Sequence, residues 1–154
     1  MKTLVVFYSR DGNTRRAAEV IATILNADLD EIIDERKRKG VLGFLSAGYD
    51  ATLGRTTNIK FTKNPSNYDL IIIGTPVWNG RVTPAVRTYI LKNKDSMKEV
   101  AFFATCGGMP GKCLKQMHEL YNDRVLAEKV IHRKKIKEGA ESLARDIIRL
   151  IKSY

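Results

Sequence analysis

Three stretches of this chain are apolar without a break, and each stops at a loop rich in small or hydroxyl-bearing residues. Thr3 to Tyr8 reads T-L-V-V-F-Y, Leu70 to Ile73 reads L-I-I-I, and Val100 to Ala104 reads V-A-F-F-A. A strand with one face in water alternates apolar and polar residues, whereas a strand without alternation is covered on both faces, as in a parallel sheet. Leu29 to Ile33 and Val125 to Ile131 are weaker runs that predict two further strands.

Helical periodicity fills the intervals. Ala17, Val20, Ile21, Ile24 and Leu25 recur at three- and four-residue steps after the first run, with Arg15, Arg16 and Glu19 off that stripe. Thr83-Pro84 pairs a hydroxyl N-cap with proline at the first helical position, and Ala85 to Leu91 continues that helix. A last helix is predicted from about Lys135 to Lys152, with Ile136, Ala140, Leu143, Ala144, Ile147, Leu150 and Ile151 on one face. This alternation predicts an α/β architecture, a parallel sheet between helices, with residues 1–154 as a single domain.

Composition narrows the function. There is no run of 18 apolar residues, and Leu4 to Tyr8 is too short for a signal-peptide core, so a cytoplasmic protein without a transmembrane segment is the expectation. Cys106 and Cys113 stand seven apart with no partnering histidine cluster, unlike the ligand spacing of a structural metal site. His118 follows a helical pattern and His132 adjoins a basic surface run, so both read as ordinary rather than catalytic residues. The formal charge is +10, which points to anionic partners.

In a parallel sheet the ligand crevice lies at the carboxyl ends of the strands. That places three segments on one edge: Ser9-Arg10-Asp11-Gly12-Asn13-Thr14, Thr75-Pro76-Val77-Trp78-Asn79-Gly80, and Thr105-Cys106-Gly107-Gly108 with the residues up to Gly111. The first opens a helix, whose N–H groups attract an anion, while Ser9, Asn13 and Thr14 add side-chain donors. Its residues equally suit an ordinary capped strand-to-helix turn. It matches neither the nucleoside-triphosphate loop nor the G-x-G-x-x-G fingerprint. In the second, Trp78 either covers the end of the sheet or forms a wall for a flat ring. In the third, Gly107 and Gly108 let the backbone approach a ligand, or form a plain loop. Cys106 reads as a small buried residue rather than an activated thiol.

Taken together these segments resemble the flavodoxin family over almost the whole chain. The resemblance implies a doubly wound five-stranded parallel sheet of order 2-1-3-4-5 with helices on both faces, and flavin mononucleotide (FMN) as cofactor. Ser9-x-x-Gly12-Asn13-Thr14 resembles the family's phosphate loop, with Arg10 placed to neutralise the phosphate. Thr75, Pro76, Val77, Trp78, Asn79 and Gly80 resemble the loop whose aromatic residue stacks on the flavin. Thr105, Cys106, Gly107 and Gly108 resemble the loop at the pyrimidine edge. The chain departs from the family pattern at Arg10 and Asp11, at Asn79-Gly80 after the tryptophan, and in lacking a tyrosine after the third loop.

The resemblance implies an electron carrier working between redox proteins. The alternatives are a flavodoxin-like oxidoreductase acting directly on a quinone or protoporphyrinogen, since Thr3 to Arg15 resembles the opening T-L-x-x-F-x-x-R-D-G-x-T-R of the protoporphyrinogen oxidases, and a nonredox anion- or nucleic-acid-binding module. Nucleic acid is disfavoured because no aromatic-basic interleaving marks a strand-binding groove. Residues 35–64 carry seven Lys and Arg against two Asp and Glu, and residues 112–154 carry eleven against six, so the expected redox partners are acidic and ferredoxin-like. Within the 35–56 segment, Arg36-Lys37-Arg38-Lys39 precedes a stripe of Leu42, Leu45, Tyr49 and Leu53. It reads as a surface helix packed on its sheet, a lid over the flavin edge, or a membrane or partner contact.

Overall fold

A computed structural model describes residues 1–36 and 40–154; for residues 40–42 and 44 it describes the backbone alone. In chain order the elements are β1 (Thr3–Phe7), α1 (Asn13–Leu25), β2 (Asp28–Glu31), β3 (Ile33–Asp34), α2 (Gly40–Thr52), β4 (Ile59–Lys60), β5 (Leu70–Pro76), α3 (Pro84–Asn93), β6 (Glu99–Cys106), α4 (Cys113–Tyr121), β7 (Ala127–His132) and α5 (Ile136–Lys152).

The three unbroken apolar runs form the centre of a five-stranded sheet of order β2-β1-β5-β6-β7, and every pairing in it is parallel. Alternate residues of each central strand feed two separate cores. Leu4, Val6, Ile71, Ile73, Val100 and Phe102 pack on one face with Val86, Tyr89 and Ile90 of α3 and Met117 of α4. On the other face, Val5, Phe7, Ile72, Ala101 and Phe103 pack against Ala17, Ala18 and Ile21 of α1 and Leu143 and Ile147 of α5. Both faces are dry, which is why these strands show no alternation. A fully buried side chain of this size contributes about 1.5–3 kcal/mol, so the central strands dominate the stability of the sheet.

Several boundaries differ from the sequence expectation. The central strands run further than their apolar runs: β5 continues through Thr75 and Pro76, and β6 through Thr105 and Cys106, paired as Pro76 with Thr105 and Cys106 with His132. Threonine is β-branched and suits a strand, so the polar residues at these ends belong to the ladder rather than to the loops. The expected strand Leu29 to Ile33 is instead split. β2 ends at Glu31, Ile32 turns into the core at 1% exposure, and Ile33–Asp34 pairs antiparallel with β4 in a separate ribbon. Buried Asp30 anchors this bend by accepting from Thr62 N, Lys63 N and Thr62 Oγ1 at 2.8–3.0 Å.

The stripe Leu45, Tyr49 and Leu53 does lie on a helix, but it is not that helix's packing face: these side chains are 60%, 59% and 50% exposed. α2 instead packs through Ala47, Asp50 and Ala51. Asp50 is buried and requires cations, which Arg36 supplies at 2.5 Å and Arg55 at 3.4 Å, and this orients the helix. Lys37, Arg38 and Lys39 of the basic run, and the side chain of Leu42, lie outside the described residues. Among the described residues no helix is long and apolar enough to cross a membrane.

At the centre of the sheet, Gly74 faces Phe103 so closely that a Cβ would stand 2.0 Å from the ring Cζ. Gly74→Ala should therefore cost about 1–3 kcal/mol of unfolding free energy, the usual range for overpacking a full core. Urea denaturation measures this, and a loss below about 0.5 kcal/mol would show that the strands part more readily than this packing allows.

Candidate functional site

The order β2-β1-β5 reverses the direction of winding at β1, so the connections after β1 and β5 leave on opposite faces and open a crevice at the carboxyl edge. A cleft of about 150 Å³ lies there, lined by Arg10, Asp11, Asn13 and Thr14 after β1, Pro76, Val77 and Trp78 after β5, and Thr105, Cys106 and Gly107 at the end of β6. Arg133, after β7, completes it. Larger space, about 500 Å³, exists between α1 and α5, but it is an open groove to which none of the three loops contributes.

The first loop is shaped by its own backbone. Ser9 Oγ accepts from Gly12 N at 3.1 Å, and Gly12 takes φ +93° as the residue that precedes α1. Gly12 has no side chain to cap the helix, so the N–H groups that open α1 are left for a ligand. Space for a Cβ at Gly12 is open. Thr14 is 1% exposed, with its hydroxyl 2.7 Å from that of Thr105, which joins the first loop to the third. Two hydroxyls share one proton in such a bond, so the pair keeps one O–H to give to a ligand.

The second loop is a tight hairpin. Trp78 and Arg81 exchange both backbone hydrogen bonds at 3.0 Å, and the two residues between them, Asn79 and Gly80, take φ +50° and +69°. Both central residues left-handed define the turn that Asn-Gly favours, a signal present in the sequence but not read as such. Gly80 also meets Gly111 at the end of the third loop, where a Cβ on Gly111 would lie 2.6 Å from Gly80 Cα, and Lys112 N donates to Gly80 O at 2.7 Å. Trp78 both closes the sheet end, its ring edge-on to Tyr8 at 5.5 Å, and lines the cleft. The α2 helix stands beside this loop: Asn79 Nδ2 donates to Thr52 Oγ1 at 3.3 Å, and a small cleft of about 70 Å³ opens between Ala47, Gly48, Trp78, Asn79 and Arg10.

Not every expected residue reaches the cleft. Thr75 is fully buried, and its hydroxyl donates to Pro76 O at 2.8 Å and meets the Thr83 hydroxyl at 3.1 Å, supporting the cap of α3. Ser9, Gly12, Gly80 and Gly108 shape the loops without lining the cleft. Two charged residues that do line it, Asp11 and Arg133, stand outside the set expected to bind. For Arg133 the signal was available, because it follows the last strand at the same edge of the sheet.

Neither histidine belongs to the cleft lining. His118 Nε2 pairs with Glu128, half-exposed, with its ring edge-on to Phe102. His132 Nε2 lies 3.0 Å from Gly107 O, and His132 Nδ1 accepts from Lys134 N at 3.2 Å, so the ring donates to the third loop through Nε2.

Both cysteines are free thiols. Cys106 Sγ donates to Gly108 O at 3.2 Å, and burial pushes its pKa up. Burial pushes Cys113 up to about 12. Since the thiolate is the reacting form, both should alkylate with iodoacetamide at pH 7 more slowly than glutathione, and faster as pH rises. Mass spectrometry follows the adducts, and alkylation of Cys106 as fast as the small thiol would show an activated nucleophile.

Residues 45–145 match the sequence model of the family described as Flavodoxin. Among solved structures, a flavoprotein from Lactobacillus acidophilus NCFM in complex with FMN is 26% identical, covers 93% of this chain and 98% of its own, and superposes with a TM-score of 0.75. The apo form of the flavoprotein from Lactobacillus acidophilus NCFM is 27% identical, with a TM-score of 0.64 over 85% of this chain and 91% of its own. Oxidised flavodoxin 1 from Bacillus cereus, 18% identical with a TM-score of 0.59, covers 100% of this chain and 99% of its own and shares the fold. No curated protein matches the chain significantly.

Proposed function

The chain belongs to the flavodoxin family, and from that membership we propose that it binds one FMN at the three-loop cleft and carries electrons between redox proteins. The observation that carries this reading is the donor set of the cleft. An uncapped helix N-terminus, the Thr14–Thr105 hydroxyl pair and the Arg10 guanidinium face one space, and that is the chemistry a phosphate monoester needs. Trp78, at the other side of the same cleft, suits a flat ring.

When bound, FMN supplies the electron chemistry, and the protein supplies binding and electrostatics. In this reading Asn13, Thr14 and the backbone after Gly12 hold the phosphate, with Ser9 fixing their turn. Val77 and Trp78 bound one side of the ring and Thr105, Cys106 and Gly107 bound its edge, while Asn79, Gly80 and Gly108 shape the loops that carry them. Thr75 holds the second loop rather than touching the ligand. The raised pKa of Cys106 supports a carrier without a thiol nucleophile.

Two free thiols fit a reducing, cytoplasmic setting. The positive excess of residues 35–64 and 112–154 favours acidic partners.

The first test is the visible spectrum of purified protein, followed by titration with FMN and riboflavin. FMN should bind at least about tenfold more tightly, since one charged hydrogen bond to the phosphate is worth more than about 1.4 kcal/mol. Trp78→Ala should weaken both ligands by about 0.5–1.5 kcal/mol through lost stacking. Equal affinity for FMN and riboflavin would contradict a phosphate site at α1.

A second expectation concerns partners. Electron transfer with an acidic ferredoxin-like protein, followed by stopped flow, should slow about tenfold or more as salt rises from low to physiological ionic strength, where the Debye length is about 8 Å. A rate indifferent to salt would remove electrostatic docking.

A further inference from the structure

One cation at the cleft is explained neither by the fold nor by phosphate binding at α1. Arg133 begins the short 3-10 turn Arg133–Lys135 that follows β7. Its side chain lies directly over Gly107: a Cβ on that glycine would stand 2.8 Å from Nε and 2.9 Å from Cδ and Cζ. His132, hydrogen bonded to Gly107 O on one side and Lys134 N on the other, fixes the turn from which the arginine projects.

Three other arginines have anionic partners, Arg15 with Glu31 at 2.6 Å and Arg36 and Arg55 with Asp50. Among the described residues Arg133 has no hydrogen-bond, ion-pair or ring partner. Of the charged side chains lining the cleft, Arg10 and Asp11 offset each other in net charge, which leaves Arg133 as the excess cation. A guanidinium fixed at a binding cleft with no protein anion is matched to negative charge on the ligand.

We propose that Arg133 discriminates between the redox states of the bound flavin, favouring the reduced, anionic ring over the oxidised, neutral one. The inference rests on the FMN reading above. Reduction brings two electrons from a reduced partner protein and takes up one proton from water, so the ring gains one negative charge. The phosphate is charged in both states, so any attraction of Arg133 for it cancels between them. The arginine thereby raises the two-electron potential of the bound flavin.

The test is anaerobic titration of oxidised and dithionite-reduced FMN, at mildly alkaline pH, into the wild-type protein and the variants Arg133→Gln and Arg133→Lys, repeated with riboflavin. The glutamine variant should lose about tenfold in the ratio of reduced to oxidised affinity with both ligands, the scale of one solvent-facing charge pair. For a two-electron couple, that is a fall of about 30 mV in midpoint potential. Lysine, which keeps the charge, should restore most of the ratio, and unchanged melting temperatures would show that the variants remain folded. Equal loss of affinity for both redox states, or an unchanged ratio, overturns the proposal. Failure of the wild-type protein to bind any flavin overturns the FMN reading as well, whereas tight binding with an unchanged ratio overturns this inference alone.

Discussion

Burial of β1, β5 and β6 on both faces is the constraint on which the rest of the molecule depends. A strand with two dry faces must be covered by helices above and below, and parallel neighbours need a crossover between them. The chain therefore returns to the same edge of the sheet after every strand, and the loops after β1, β5 and β6 meet there. Gly74 against Phe103 shows how tightly the centre is filled. The hydroxyl contact between Thr14 and Thr105 and the glycine contact between Gly80 and Gly111 then hold the loops to one another. The cleft is thus a product of strand topology, closed by a few short polar contacts.

Much of this was legible in the sequence because the strongest signals were hydrophobic and local. Uninterrupted apolar runs at Leu4, Leu70 and Val100 identified the buried strands, and Thr83-Pro84 marked the start of α3, where Thr83 Oγ1 accepts from Val86 N at 3.4 Å. What could not be read depended on long-range partners. Thr75 resembles a ligand residue, but its hydroxyl is committed to Thr83 eight residues away. Leu29 to Ile33 looks like one strand, yet buried Asp30 draws the 62–63 turn onto it and the strand breaks at Ile32. Arg133 is legible only as far as the sheet edge, because it follows the last strand; that it lines the same cleft as Thr14 depends on the fold.

The α2 helix shows the same limit from the opposite side. Its apolar positions at Leu45, Tyr49 and Leu53 look like a packing stripe, but small residues and a charge decide which face turns inward. Ala47 and Ala51 allow close approach, and Asp50 cannot be buried without Arg36 and Arg55. The helix thereby comes to stand against the second loop through Thr52 and Asn79, while its larger apolar side chains remain in solvent.

The proposed function requires that three loops, separated by many residues in the chain, form one binding site for FMN. Amide chemical shifts followed residue by residue as FMN is added test it most directly. Gly12 to Arg15, Val77 to Gly80 and Cys106 to Gly108 should shift together at a single saturating stoichiometry, with the α1–α5 groove unaffected. Shifts confined to that groove, or to only one of the three loops, would contradict it.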